Sequence, residues 1–352
     1  MKKSIMIVIV SLVSMIFAEG SISGVSYFGY SMNNMNANLE DDKERGFELN
    51  RVYLTYKNKI SDKASFKFQA DMQNKNETEK TAYYMYIKKA QFDLKVADGA
   101  KLMIGMQGMN MFNVSEKTWG NRFISQTALH MNKWSAAADL GVGAKLSMGC
   151  PFIESNKISG SLLVTNGEGY KSTSSDNNEK ISFQALYGEE RLDKKDGFNV
   201  GAVYSTLTYD SVEAVEDDLS SAKEGGTGTV MGGFAGFAGF GARVGLEYHM
   251  GTDLDIEDYS SSSTLMSVYA NYSLSFIDGL SLFGRYDMVD LGNADDATSD
   301  INEGDEDNVS TMMAGVIYNC TDGLTFSPHI VQTAEGTGDP MMDFKVLFQL
   351  KF

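Results

Sequence analysis

Residues 344–352 read Phe344-Lys345-Val346-Leu347-Phe348-Gln349-Leu350-Lys351-Phe352. Phe344, Val346, Phe348, Leu350 and Phe352 fall on one parity, and Lys345, Gln349 and Lys351 fall on the other, with Leu347 the single apolar intruder. A β-strand sends alternate side chains to opposite faces, so this segment is apolar on one side and charged or amide-bearing on the other. It ends the chain on an aromatic residue. An edge strand of a water-soluble sandwich could alternate in the same way. The choice therefore rests on whether the pattern recurs and on how the chain begins.

Lys2 and Lys3 precede an apolar run of thirteen residues, Ile5 to Phe17, and Ala18-Glu19-Gly20 supplies small residues for cleavage. This is the pattern of a secretory signal peptide over 1–20, removed after Ala18 or Gly20. The run falls short of the roughly 20 residues a membrane-spanning helix needs, and no later apolar window is long enough. A mature chain in a membrane must then be a closed barrel, because open sheet edges in lipid leave backbone groups unpaired. The 35 Gly, 3 Pro, 17 Tyr and 20 Phe suit long paired strands with aromatic girdles. A mean hydropathy of −0.22 fits a wall that shows lipid only every second residue.

Turn residues divide 21–352 evenly. Short connections are expected at 61–63, 98–99, 150–156, 190–197, 238–240, 278–279 and 321–323. Longer polar stretches lie near 31–43, 74–80, 109–133, 167–178, 210–227, 251–262, 290–308 and 333–340. Seven short turns and eight long loops join sixteen antiparallel strands, all-β, with both termini on the short-turn, periplasmic side of a bacterial outer membrane. At about 21 residues per strand and connection, one barrel accounts for the chain. Phe66, Phe68, Ala70 and Met72 alternate with Lys67, Gln69 and Asp71; Leu280, Leu282, Gly284 and Tyr286 alternate with Ser281, Phe283, Arg285 and Asp287. Two places strain the pattern. Lys88 falls on the apolar parity, which requires either a bulge that switches faces or an early exit from lipid. The turn inside Met231 to Gly241 (MGGFAGFAGFG) is the weakest boundary, and without it the count falls to fourteen.

The inward parity carries Arg51, Lys57, Lys67, Lys95, Lys145, Arg243, Arg285 and Lys345 against Asp71, Asp93, Asp139, Glu247 and Asp287. Side chains lining an aqueous passage set its ion preference, so a mild anion preference is expected of this lumen. The alternative is that these charges pair across strands and stiffen the wall. The net charge of −17 sits in the loops instead: 290–308 holds eight acidic residues and no basic one. Calcium binding there is the sharper reading and a solvated acidic rim the plainer one, since the spacing matches no EF-hand loop. Divalent bridging of the rim to lipopolysaccharide stays open. The stretch 109–133 (MNMFNVSEKTWGNRFISQTALHMNK), with Glu116, Lys117, Trp119, Arg122, Phe123 and His130, either folds inward to narrow the passage or rests on the outer rim.

Other chemistry finds little footing. Cys150 and Cys320 fall in turns about eight strands apart, beyond the roughly 7 Å Cα separation a disulfide spans, so two free thiols are expected. His130, His249 and His329 lie in separate segments with no nucleophile motif, paired metal spacing or phosphate-cradling loop, so neither enzyme, cofactor nor metal site is expected. The acidic balance argues against nucleic acid.

Residues Gly46 to Asp71, GFELNRVYLTYKNKISDKASFKFQAD, resemble the opening strands of the phosphate-selective porin O and P family. Trp119-Gly120-Asn121-Arg122-Phe123-Ile124 and Ala138-Asp139-Leu140-Gly141-Val142 are similar to its constriction loop and the strand that follows. The resemblance covers about the first 150 residues and implies a homotrimeric, sixteen-stranded outer-membrane porin with an inward third loop. The expectation is a water-filled channel for passive diffusion of small hydrophilic solutes and ions. Phe348, Leu350 and Phe352 would be read by the barrel-assembly machinery. The alternative is a structural or adhesive barrel with a closed lumen and acidic, partner-binding loops. A hydrophobic-solute transporter would need an apolar inner face and an N-terminal plug, and neither is apparent.

Overall fold

The computed structural model describes residues 20–35, 44–77, 80–149, 157–172, 178–211, 225–254, 262–292, 308–336 and 338–352. Residues 1–19, which hold nearly all of the expected signal peptide, Cys150 and most of the acidic loop segments lie outside the described residues.

Sixteen antiparallel strands close on themselves. They are β1 (Gly20–Asn33), β2 (Glu44–Lys59), β3 (Ala64–Glu77), β4 (Lys80–Ala97), β5 (Ala100–Gly108), β6 (Ala138–Gly149), β7 (Lys157–Thr165) and β8 (Lys180–Gly188). The second half is β9 (Gly197–Tyr209), β10 (Gly226–Gly239), β11 (Ala242–Thr252), β12 (Ser262–Ser273), β13 (Leu280–Asp290), β14 (Asn308–Asn319), β15 (Leu324–Glu335) and β16 (Met341–Lys351). Each pairs with its sequence neighbours, and β1 pairs with β16 from Val25↔Lys351 to Met32↔Phe344. Closure leaves no strand edge unpaired, which is what lipid demands. Outward side chains such as Leu54, Ile87, Ile104, Val142, Leu246 and Ile330 stand exposed around the wall, the apolar belt the alternation requires. Among the described residues no helix is long and apolar enough to cross a membrane.

The terminal strand behaves as its parity predicts. Phe348 faces outward and stacks on Phe28 at 5.1 Å, while Leu347 faces inward and is buried. Two expectations need correction. The stretch 74–80 is no long loop: β3 and β4 run on through it, pairing as far as Glu77↔Lys80. The turn placed at Ala238–Phe240 falls at Phe240–Gly241, both with positive φ (55° and 78°), the two-residue hairpin geometry that matches strand twist. The count is therefore sixteen, and the fourteen-strand alternative falls. Lys88 is explained by a break in register: Gln69 pairs with Lys89 and Ala70 with Ile87, so Lys88 is the extra residue of a bulge and turns inward. Cys320 is a free, exposed cysteine.

Candidate functional site

Between β5 and β6 the chain forms two short helices, α1 (Asn113–Trp119) and α2 (Ala128–Met131), packed against the inner wall. Gly120 ends α1 in the left-handed conformation (φ 73°), its N–H donating to Glu116 O at 2.8 Å. A Cβ there would lie 2.5 Å from the Arg243 guanidinium, so glycine serves both the turn and the close approach.

Apolar docking explains why this segment lies inside. Met111, Phe112, Val114, Leu129 and Trp134 pack with the inward Leu186, Val203, Val230, Phe234, Leu265 and Val289. Trp119, Phe123 and Ile124 pack with Tyr269, Phe283, Met313, Ile317 and Leu347. The apolar intruder of the last strand is thus part of the floor on which the segment rests. Polar anchors fix the register. Asn110 Nδ2 donates to Ser161 Oγ (3.1 Å), Tyr269 OH to Ser115 O (3.1 Å), and Arg243 Nη2 to Trp119 O (3.1 Å). Arg285 donates to Gln126 O, stacks over the Trp119 ring at 5.2 Å and pairs with Asp287 at 2.7 Å.

The opposite side of the segment meets β2–β4 through charge. Arg122 pairs with Glu116 and reaches Tyr53 OH at 3.4 Å. The same phenol accepts from Arg51 and Lys88, each at 3.1 Å. Both cations flank Asp71, at 3.4 and 3.7 Å, and Asp71 also accepts from Tyr170 OH at 2.7 Å. Lys171 donates to Gln73 Oε1 at 2.8 Å. Tyr170 and Lys171 belong to the β7–β8 connection, so a second long connection also reaches across the lumen. Burial alone would lower the Arg122 pKa, but the Glu116 carboxylate overcomes it and holds the guanidinium charged. His130 stacks on Phe112 at 4.9 Å with Arg122 3.5 Å away. Burial first, and then the Arg122 charge, press its pKa down to about 2.

Toward the short-turn side the wall becomes more basic. Lys67 lies within electrostatic reach of Lys57, Lys88, Lys117 and Asp93, and Lys89 within reach of Lys67, Lys88, Lys117 and Glu116. Lys57, Lys67 and Lys89 form no ion pair among the described residues. Cavities lie on both sides of the inward segment. One of about 570 Å³ on the long-loop side is lined by Arg51, His130, Lys133, Tyr170, Lys171 and Lys180. One of about 400 Å³ on the short-turn side is lined by Asn121, Leu192, Asp193, Arg243 and Gln349.

The residues singled out from sequence separate into distinct groups. Arg51 and Arg122 converge on Tyr53 with Asp71 and Glu116 as their carboxylate partners, and Lys57, Lys67 and Lys117 lie along the basic strip. Asp93 pairs with Lys101 at 3.0 Å, while Lys145 and Lys117 both reach Glu190. Asp139 is buried, accepting from Gly167 N at 2.6 Å, and pins the β7–β8 connection. Lys95 sits beside its turn, half exposed and 2.6 Å from Asp98. Trp119 ends α1, and Arg243, Arg285 and Asp287 of the wall lie beneath it as anchors. Glu247 and His249, 3.5 Å apart, are fully buried behind the same segment, and Lys345 pairs with Asp343 at 3.0 Å. Sequence reasoning missed Tyr53, Lys89, Tyr170, Lys171 and Glu190. The adjacent Lys88 and Lys89 were a usable signal, because in a regular strand one of them would have to face lipid. Among the described residues no group of three or more His, Cys, Asp or Glu is placed to hold a metal ion.

No family model matches the sequence, and no curated protein matches it. Solved structures do match in fold. OmpF of Salmonella typhi superposes with a TM-score of 0.63 at 12% identity, covering 95% of this chain and 97% of that one. An anion-selective porin from Comamonas acidovorans gives 0.60 at 8% identity, covering 95% and 99%. OmpT of Vibrio cholerae, in its trimer form, gives 0.59 at 13% identity, covering 95% and 100%. The chain has the sixteen-stranded barrel fold of outer-membrane porins.

Proposed function

We propose that this protein is an outer-membrane channel through which small hydrophilic solutes and ions diffuse passively, with a preference for anions. The observation that carries the proposal is the inner wall. Lys57 and Lys67 line it without ion-pair partners among the described residues, with Lys89 beside Lys67, in a barrel whose outer face is apolar. Unpaired ammonium groups along a narrow passage raise the local concentration of anions and repel cations. Beyond that core, the proposal places the chain, freed of its leader, in the bacterial outer membrane among lipid and lipopolysaccharide. It assembles there as a homotrimer, by analogy with the trimer form of OmpT, through machinery that reads Phe348, Leu350 and Phe352. A preference for phosphate rests on the resemblance of Gly46 to Asp71 alone.

Planar-bilayer recording in a KCl gradient tests the core of this reading. Stepwise currents with an anion-selective reversal potential are expected, and K67Q/K89Q is expected to move that potential toward zero. Cation selectivity of the wild type, or an unmoved potential in the double variant, overturns the anion assignment.

A second reading, a barrel with a closed lumen, draws on the contacts that cross the interior, Arg122 to Tyr53 and Tyr170 to Asp71. It predicts no stepwise current from folded, inserted protein.

A further inference from the structure

The β8–β9 connection, Glu189-Glu190-Arg191-Leu192-Asp193-Lys194-Lys195-Asp196, lies on the short-turn side, where connections ordinarily stay at the rim. This one rises into the barrel. Leu192 is buried, and Asn199 Nδ2 donates to Glu189 O at 2.9 Å, holding the turn against β9. A Cβ on Gly236 would lie 3.0 Å from Leu192 Cδ1 and 2.7 Å from Thr118 Cγ2, so the turn and α1 share the space that glycine leaves.

The Glu190 side chain uses this position. One carboxylate oxygen takes the Lys117 ammonium of α1, and the other takes the Lys145 ammonium of the β6 wall. Burial would raise its pKa, but the two lysines overcome that and bring it to about 2, so the charge is fixed across ordinary pH. Lys117 is also an electrostatic neighbour of Lys67 and Lys89, which places this single carboxylate at the edge of the basic strip.

We propose that Glu190 is a selectivity-determining residue: a carboxylate delivered from the short-turn side that offsets two ammonium groups of the passage and limits its anion preference. The inference rests on the channel reading above. Removing the charge leaves Lys117 and Lys145 uncompensated. One unit charge felt through water at about 7 Å changes ion occupancy about threefold.

The test is the reversal potential of single channels in a KCl gradient, with heat-shifted electrophoretic mobility confirming that each variant is folded. E190Q should raise the chloride-to-potassium permeability ratio about sevenfold, because chloride gains and potassium loses about 2.7-fold each; E190D should stay near wild type, and E190Q/K117Q should return toward it. A pin that merely holds α1 would make the double variant as disturbed as the single one, and that result overturns the proposal. So does an unshifted ratio in folded E190Q. If E190Q does not assemble, K117Q leaves Glu190 to cancel Lys145 completely and must shift the ratio toward potassium; no shift overturns the proposal. A wild-type barrel that passes no current defeats the channel reading itself, an outcome distinct from a conducting channel indifferent to Glu190.

Discussion

Trp119→Ala tests whether the inward segment is held by its apolar footprint. Trp119 is fully buried, with ring centroids 5.5 Å from Tyr269 and 5.9 Å from Phe283, the Arg285 guanidinium over its face, and Nε1 donating to Ser125 O at 2.9 Å. Truncating a buried tryptophan costs about 3–5 kcal/mol in lost transfer free energy and the cavity left behind. The barrel closes through backbone bonds that do not involve this ring, so the cost falls mainly on docking of the segment. At about 1.4 kcal/mol per factor of ten, a loss of about 4 kcal/mol shifts the docking equilibrium about a thousandfold toward the undocked state. Undocking removes the residues that cross to Tyr53 and widens the passage.

Two readouts follow from that estimate. Single-channel steps of W119A should be larger and noisier than wild type and less ion-selective, because the charges of Glu116, Lys117 and Arg122 leave the wall. Trypsin should cleave after Lys117 or Arg122 in folded W119A and spare the wild type. Trp119→Phe, which keeps an aromatic ring against Tyr269 and Phe283, should lie close to wild type. Folded W119A with wild-type conductance, noise and protease resistance would refute the reasoning, and the polar anchors alone would then hold the segment.

His130 has an ordinary pKa of 6.5 and a folded value of about 2. Between those values the unfolded chain binds a proton that the folded one does not, so stability rises with pH across the window and is lost as pH falls below about 6.5. The temperature of the electrophoretic unfolding shift should therefore drop more between pH 7 and pH 4 in wild type than in H130Q; parallel curves would remove His130 from the account. Phe352 exchanges backbone bonds with Gly24 at 2.7 and 3.1 Å, and its ring is largely exposed. Since two such bonds contribute only about 1 kcal/mol each, deleting Phe352 should reduce assembled yield far more than it lowers the unfolding temperature. Phe352→Ala keeps the bonds and should share the yield defect; normal yield in both variants would end the assembly-signal role.

The fold was legible where one strand face meets lipid and the other water, as in Phe66 to Met72 and in the last nine residues. It blurred where those two surroundings change. Past Gln73 the sequence NKNE over 74–77 holds no apolar residue to mark a parity, while Asn74↔Tyr83 and Glu77↔Lys80 still pair. At β10 the opposite happens. Val230 and Phe234 point inward yet are apolar, because the inward segment covers them. Gly-rich apolar sequence on both parities then hides a turn that Phe240 enters at positive φ without glycine's freedom.

That second failure contains the information needed to find the site. An aqueous lumen gives no reason for Val230, Phe234, Leu265, Phe283, Val289, Met313, Ile317 and Leu347 to face it, since burying apolar surface needs a partner. Leu186 of β8 and Val203 of β9 join them, so the inward apolar residues packed on the segment run from β8 to β16 and mark the footprint of something inside, away from β2 to β4. The other side, β2 to β4, keeps Arg51, Lys57, Lys67 and the bulged Lys88 with its neighbour Lys89. An occupant docked by apolar contact on one wall leaves any aqueous passage against the opposite, basic wall. The asymmetry of inward parity thus places both the loop and the charged strip. The tyrosine contacts escaped because Tyr170 and Asp71 stand 99 residues apart, and Arg122 and Tyr53 stand 69 apart, separations that no local periodicity encodes.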